Sequence, residues 1–150
     1  MDNNKQDYQC MRAYQWETPI HDMFNDVICF EKAQTFVDYI WNDLELKNPP
    51  RITRLSDYKM LQGIEACARR EEIQIPIRGI KSSILLHELA HSMTPFDVGH
   101  GPEWLGVYMS LLVRYYRMNM DALIYSVRRA GLEFCIPEKI SIKERSVNYG

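Results

Sequence analysis

Long apolar runs are missing from this 150-residue chain. No stretch approaches the roughly 20 consecutive apolar residues that a membrane-spanning helix requires, so we expect no membrane partner. The first ten residues, MDNNKQDYQC, also lack the basic and then apolar layout of a secretory signal. These two features predict a cytoplasmic protein.

Cysteine is scarce and is not arranged for a metal ribbon or a disulfide framework. The four cysteines lie far apart and form no CxxC pair, which argues against a zinc ribbon and against a dense set of disulfides. Buried free thiols are the simplest interpretation. The four residues are Cys10, Cys29, Cys67 and Cys135.

Basic residues are too few to form an obvious nucleic-acid surface. The formal net charge is -2, with 4 Lys and Arg against 9 Asp and Glu in residues 1–50, and 7 against 4 in residues 111–150. A strongly basic stripe would indicate phosphate binding, and this balance does not supply one. A nucleic-acid partner is therefore an alternative that rests on one local patch, which we otherwise interpret as solvated helix faces. The patch comprises Arg114, Arg117, Arg128 and Arg129.

The remaining composition, 46% hydrophobic and 25% charged, is typical of a globular domain. We assign residues 1–150 to one domain, and we expect the first 25 or so residues to be irregular or strand-like because their apolar residues show no clear period. The rest predicts an α+β fold with a small sheet, mostly antiparallel or else mixed. Helices are predicted at residues 31–46, 81–92, from 102 and from about 120 to 130, and strands at 51–55, 63–69 and 72–77.

The segment HELAH at residues 87–91 carries the strongest chemical signal. Residues four apart lie one turn above each other on a helix, so His87 and His91 can present two imidazole nitrogens to one metal ion. Glu88 lies beside the first of them and can serve as a general base toward water at the metal. The alternative is a buried helix whose two histidines are hydrogen-bonded core residues.

A third ligand is required, because a catalytic zinc ion has three protein ligands and one open position. His100 is the first choice, since residues 92–99 are long enough to fold it back toward the helix. Asp97 and Glu103 are alternative oxygen ligands. The simpler interpretation of Glu103 is that its negative charge stabilises the N-terminus of the next helix. His21 lies far away in the sequence and is expected to be a surface or packed residue.

Two further features concern substrate handling. Tyr108, Tyr115 and Tyr116 are candidates for donating a hydrogen bond to the transition state, although tyrosines at helical spacing usually belong to the core. The predicted strand at residues 72–77 precedes the HExxH helix. It would pair with an extended peptide if it lay at a sheet edge, and an internal strand is equally compatible with the sequence.

HELAH followed by GHGPEW at residues 99–104 resembles the SprT-like zincin metallopeptidases, a group that includes the Spartan-type proteases and carries HExxH and then a GHGPEF-like segment. The similarity covers about residues 73–115. It implies a zincin-like fold, a Zn²⁺ cofactor and hydrolysis of a protein or peptide substrate. The site residues implied by the resemblance are His87, His91 and His100 as zinc ligands and Glu88 as the catalytic residue.

The sequence departs from this family in two respects. Trp104 stands where Phe is usual, a change in bulk that we expect the core to tolerate. Spartan-type proteases also have DNA-binding parts, whereas this sequence shows neither a four-cysteine ribbon nor a basic tail. It looks more similar to the small bacterial and phage metallohydrolases of the family. A zinc metallopeptidase is thus expected, with a non-catalytic, zinc-stabilised phage protein that binds a host factor, or a DNA-associated protease, as alternatives.

Overall fold

The computed structural model of the protein describes residues 7–142, and this part of the chain confirms the α+β class. These residues form six α-helices and five short strands. The helices are α1 (Cys10–Met23), α2 (Phe30–Asp43), α3 (Asp57–Leu61), α4 (Ser82–Ser92), α5 (Pro102–Tyr116) and α6 (Met120–Arg129). The strands are β1 (Val27–Ile28), β2 (Arg51–Arg54), β3 (Cys67–Ala68), β4 (Glu72–Ile75) and β5 (Ile80–Lys81), and a 3-10 helix spans Phe96–Val98.

Two small sheets lie among the helices. β4 is the middle strand of the first sheet, where it pairs parallel with β2 and antiparallel with β3, and β1 pairs antiparallel with β5 in the second. The expectation of a mostly antiparallel sheet is wrong for the first one, whose longer pairing is parallel, and the alternative of a mixed sheet holds. The chain between β2 and β4 includes α3 and β3, and this crossover is long enough to return the chain in the same direction.

The central position of β4 also decides the question of a peptide-binding edge. Ile73 and Ile75 are fully buried, as expected for alternate residues that share one face of a strand. The idea that residues 72–77 form a free edge is therefore wrong, and the internal alternative holds. The edge strands are β2 and β3, and the predicted strand at 63–69 shrinks to the two residues of β3.

The N-terminal helix α1 corrects another expectation. Residues 10–23 are helical and not irregular or strand-like, while residues 1–6 of the same prediction lie outside the described part of the chain. A charged residue, Glu17, lies on the buried face of α1, and Pro19 lies inside the helix, so the apolar period that identifies a helix is concealed. The buried residues of α1 are Ala13, Trp16, Glu17 and Ile20.

The other predicted helices are confirmed with small shifts at their ends. α2 stops at Asp43, and Glu45 just beyond it adopts a left-handed conformation with φ of 57°. Pro102 occupies the first turn of α5, where its missing N–H costs no hydrogen bond. Gly106 of α5 admits the segment that follows α6, because a Cβ there would lie 1.7 Å from the Cys135 carbonyl oxygen.

One cluster of buried side chains connects α1, α2, β4, α4, α5 and α6. Nine of the 11 residues of α4 are buried, so this helix is internal on almost every side. Within residues 7–142, no helix combines the length and the apolar character needed to cross a membrane.

All four cysteines are free, as expected. None is fully buried, however, so the expectation of buried thiols is wrong. Cys10 and Cys67 are half-buried, and Cys29 and Cys135 are exposed. They lie at the start of a helix, on the edge strand and in connecting segments, and not on the faces that form the core.

Candidate metal centre

Helix α4 fixes two of the three histidines of the candidate site. Leu85, Leu86 and Leu89 are fully buried and anchor the helix in the core. His87 and His91 are one turn apart, and their ring centroids are separated by 4.8 Å. The local helical geometry that the HELAH spacing predicts is therefore present.

His100 comes from the loop between α4 and α5 and is held by residues at the start of the described chain. The Asp7 carboxylate accepts hydrogen bonds from the backbone N–H of His100 at 3.1 Å and from its Nδ1 at 2.8 Å. Gln9 donates from Nε2 to the His100 carbonyl oxygen at 2.8 Å. Gly99 has a φ of +50°, and a Cβ there would lie 2.8 Å from Asp7 Cγ, so the loop requires glycine at this position.

The three histidines converge through their Nε2 atoms. His91 Nε2 lies 3.1 Å from the Nε2 atoms of both His87 and His100, which are 3.3 Å from each other. Nitrogens bound at 2.0–2.1 Å around a tetrahedral ion are separated by about 3.3 Å. The group therefore fits a metal ion. Asp97 and Glu103, the alternative ligands, are exposed and do not belong to this group.

Two carboxylates orient two of the rings. Glu17 Oε1 lies 2.5 Å from His87 Nδ1, and Asp7 Oδ2 is the partner of His100 Nδ1. Because an ionised carboxylate only accepts hydrogen bonds, each Nδ1 carries a hydrogen, and in the neutral ring the Nε2 then presents a lone pair. Lone pairs at such short separations repel each other, and a cation between them removes the repulsion. Carboxylate partners of this kind are typical of metal-binding histidines.

A second group of metal-ligand residue types consists of Asp7, Cys10 and His100. It shares His100 with the first group, but Asp7 faces His100 Nδ1, on the opposite side of the ring from the converging Nε2 atoms. This arrangement orients a ligand instead of forming a separate site.

Glu17 belongs to a larger buried network. His21, a packed residue as expected, places Nε2 3.5 Å from Glu17 Oε1 and Nδ1 2.7 Å from Ser83 Oγ. Burial would raise the pKa of Glu17, but hydrogen bonds from His21 and His87 outweigh burial and lower it. Burial would likewise lower the pKa of His87, and the bond to Glu17 raises it instead. The buried carboxylate is thus ionised and shared between two histidines.

The other two histidines favour the neutral form, which is the form that binds metal. Burial lowers the pKa of His91 well below its ordinary value, and the neighbouring His87 and His100 lower it further. Burial also lowers the pKa of His100, against the opposing effect of Asp7.

Glu88 lies beside the histidines and is only 7% exposed. Burial raises its pKa to about 7, and the negative charge of Glu17 adds to this effect, while His87 opposes it. A carboxylate with a pKa near neutrality can both accept and return a proton.

Trp104 of α5 closes the inner side of the centre. Its ring is stacked on His91 at 5.2 Å and meets His87 and His100 edge-on, at 4.7 Å from each. Its Nε1 donates to the His87 carbonyl oxygen at 3.3 Å. Trp104 is fully buried, so the core accommodates its bulk as expected.

An open groove of about 970 Å³ leads away from His87 and Glu88. Its lining includes Tyr14 and Thr18 of α1 and also Ile64. This volume is at the upper end for small-molecule pockets and is enough for an extended chain of several residues. The centre is therefore accessible from one side and closed by Trp104 on the other.

Three residues of the site, Asp7, Tyr14 and Glu17, escaped the interpretation of the sequence. All three belong to α1 or the segment before it, where no helix was expected. A signal was present for Glu17 and His21, which are four residues apart and would share one face of a helix. It has no meaning until the helix itself is recognised.

Comparisons with protein-family models, with curated proteins and with solved structures find no match.

Proposed function

We propose that this protein is a zinc-dependent metallopeptidase of the zincin type, similar to the SprT-like proteases. His87, His91 and His100 would hold the zinc ion, and Glu88 would be the general base. The observation that carries the proposal is the convergence of three Nε2 atoms within 3.3 Å, next to a buried glutamate that lines an open groove.

A catalytic centre is favoured over a structural one by the number of ligands. Structural zinc sites are usually closed by four protein ligands, whereas catalytic sites keep one position open. Among residues 7–142, the group that contains the three histidines has no fourth member. Three imidazoles suit zinc, although other transition metals also bind such sites.

When bound, zinc lowers the pKa of water toward about 7 and polarises a carbonyl group. Glu88 would take the proton from the attacking water and deliver it to the nitrogen that leaves. Glu17 and Asp7 would keep the rings of His87 and His100 in place through their Nδ1 atoms. The groove would bind a peptide chain across His87 and Glu88.

The test compares the wild type with Glu88→Gln, and it uses Glu103→Gln as a matched control because Glu103 is a nearby but exposed glutamate. We expect about one zinc ion per chain in all three proteins by elemental analysis. In a mass-spectrometric screen of a broad peptide mixture, the wild type and Glu103→Gln should cleave, whereas Glu88→Gln should lose about 10²–10⁴-fold in rate.

Equal cleavage by Glu88→Gln and the wild type would contradict the role of Glu88. If all three proteins bind zinc and none of them cleaves a peptide, the result would instead support the non-catalytic, zinc-stabilised alternative.

A further inference from the structure

The three tyrosines considered as transition-state donors have other partners. Tyr108 donates to the Ser83 carbonyl oxygen at 3.1 Å, and the Tyr116 hydroxyl is hydrogen-bonded to Ser82. Tyr115 donates to Asp43 Oδ2 at 2.7 Å. Their hydroxyl groups therefore serve the fold, in agreement with the interpretation that tyrosines at helical spacing usually have a structural role.

Tyr14 is the tyrosine that lies at the candidate site. Its ring is parallel to that of His87, with an interplanar angle of 7° and a centroid distance of 6.1 Å, and it lies 5.0 Å from the ring of His100. It lines the groove together with His87 and Glu88, and 49% of its surface is exposed. A substrate in the groove would contact it.

The Tyr14 hydroxyl is free to change its partner. Its neighbour is the Cys10 thiol, one turn earlier on α1, and a thiol is a weak hydrogen-bonding group. A carbonyl oxygen that gains negative charge is a much stronger acceptor. Exchange of the thiol for such an oxygen would therefore be favourable.

The position of Tyr14 along α1 is fixed from both sides. Asp7 and Gln9, before it in the chain, bond to His100, and Glu17, after it, bonds to His87. The helix is thus attached to two of the three histidines by contacts on either side of Tyr14. Such fixed geometry is what a donor to a transition state needs, because the cost of orienting it has been met in folding.

From this geometry we infer that Tyr14 is a catalytic residue: its hydroxyl donates a hydrogen bond to the carbonyl oxygen of the bond being cleaved as that oxygen becomes negative. The hydroxyl keeps its proton, and no bond of Tyr14 forms or breaks. The inference rests on the proposed peptidase function.

The test is Tyr14→Phe, which removes the hydroxyl and keeps the ring. The control is Tyr58→Phe, an exposed tyrosine of α3 that does not line the groove. With a peptide cleaved by the wild type, we expect kcat of Tyr14→Phe to fall about 10- to 1000-fold, as for the loss of one oxyanion donor. KM and zinc content should stay within about twofold, since the hydroxyl acts on the transition state and binds neither the zinc nor the ground state.

A second measurement separates catalysis from packing. An alanine-based phosphinic tetrapeptide, which mimics the tetrahedral state, should bind Tyr14→Phe more weakly by about the same factor as the loss in kcat/KM. If Tyr14 had only a structural role, the loss in kcat/KM and the loss in affinity for the phosphinic tetrapeptide would not agree.

An unchanged kcat in Tyr14→Phe, or a loss of zinc from it, would overturn the inference. If the wild type cleaves no peptide, the proposed function fails. Binding of the phosphinic tetrapeptide then still tests whether the Tyr14 hydroxyl contacts a tetrahedral group. Equal binding to wild type and Tyr14→Phe, or binding to neither, would then overturn the inference.

Discussion

Helices α4 and α1 meet at the candidate metal centre and contribute different residues to it. α4 supplies His87, Glu88 and His91 from five consecutive positions, and its own geometry brings the two imidazoles together. The N-terminal region supplies Glu17 and Asp7, which are 70 and 93 residues away from the histidines that they contact. Ligands thus come from one local motif and its following loop, whereas their orientation comes from a distant part of the chain.

This difference implies a hierarchy of effects. In the proposed zinc site, removing a ligand would take away a bond to the metal, whereas removing an orienting carboxylate would leave the bond and weaken its geometry. Variants on the two sides of the centre should therefore differ in size of effect by an order of magnitude or more.

The largest effect is expected from His100→Ala. Loss of one of three ligands should reduce zinc affinity by ~10³-fold or more, beyond the 10–100-fold typical of orienting partners. Competition with a chromophoric chelator measures this affinity, with Glu103→Gln as the control and circular dichroism as a check of folding. Full zinc retention would contradict the role of His100 as a ligand.

Trp104 tests how far the centre depends on the core behind it. Trp104→Ala should lower the free energy of unfolding of the metal-free protein by about 3–5 kcal/mol, because it leaves a large cavity beside three rings. Trp104→Phe keeps an aromatic ring and should cost clearly less. Denaturant unfolding monitored by circular dichroism compares the two, and equal losses would show that the indole volume is not what stabilises this region.

Glu17→Gln probes the contribution of α1 directly. The amide retains one acceptor but not the charge that two histidines share, so zinc affinity should fall about 10–100-fold while the three ligands remain. The same chelator competition measures it. A loss as large as that of His100→Ala would remove the distinction between the two regions, and no loss would mean that α1 is not needed to orient His87.

The smallest effect is expected at the far end of α5, away from the histidines. Tyr115 and Arg114 donate hydrogen bonds to Asp43 and hold its pKa below the ordinary value. The ionised Asp43 carboxylate contributes its full stability when the pH is above the pKa of an aspartate in the unfolded chain, about 3.9. This stability is lost as the pH falls through the lower folded pKa. The wild type should thus be slightly more stable than Asp43→Asn at neutral pH, and the difference should shrink in acid.

Unfolding curves at several pH values measure this difference, and zinc affinity should be the same in both proteins. A change in zinc affinity for Asp43→Asn would show that the two ends of α5 are energetically coupled. It would also weaken the distinction between the contributions of α1 and α4.

Much of the ligand set could be predicted because helical spacing is a local property. His87 and His91 follow from the four-residue interval, and His100 from a loop of suitable length before Pro102. The choice of His100 over Asp97 and Glu103 needed the folded loop, in which Asp7 and Gln9 hold His100 in place.

Other elements were hidden from the sequence for identifiable reasons. α1 was missed because Glu17 interrupts its apolar face, and that glutamate is buried only because His21 and His87 compensate its charge. The direction of the sheet was missed because strand pairing depends on a crossover that brings together residues distant in the chain.

The amino-acid sequence by itself determined the α+β class, the helix α4 and the two imidazoles on one of its faces, since these depend on local periods of two to four residues. Only the tertiary structure decided the partners of those imidazoles, the central place of β4 and the position of Tyr14 beside the rings of His87 and His100. Contacts of this kind join residues tens of positions apart, and no local pattern encodes which of them become neighbours when the core closes.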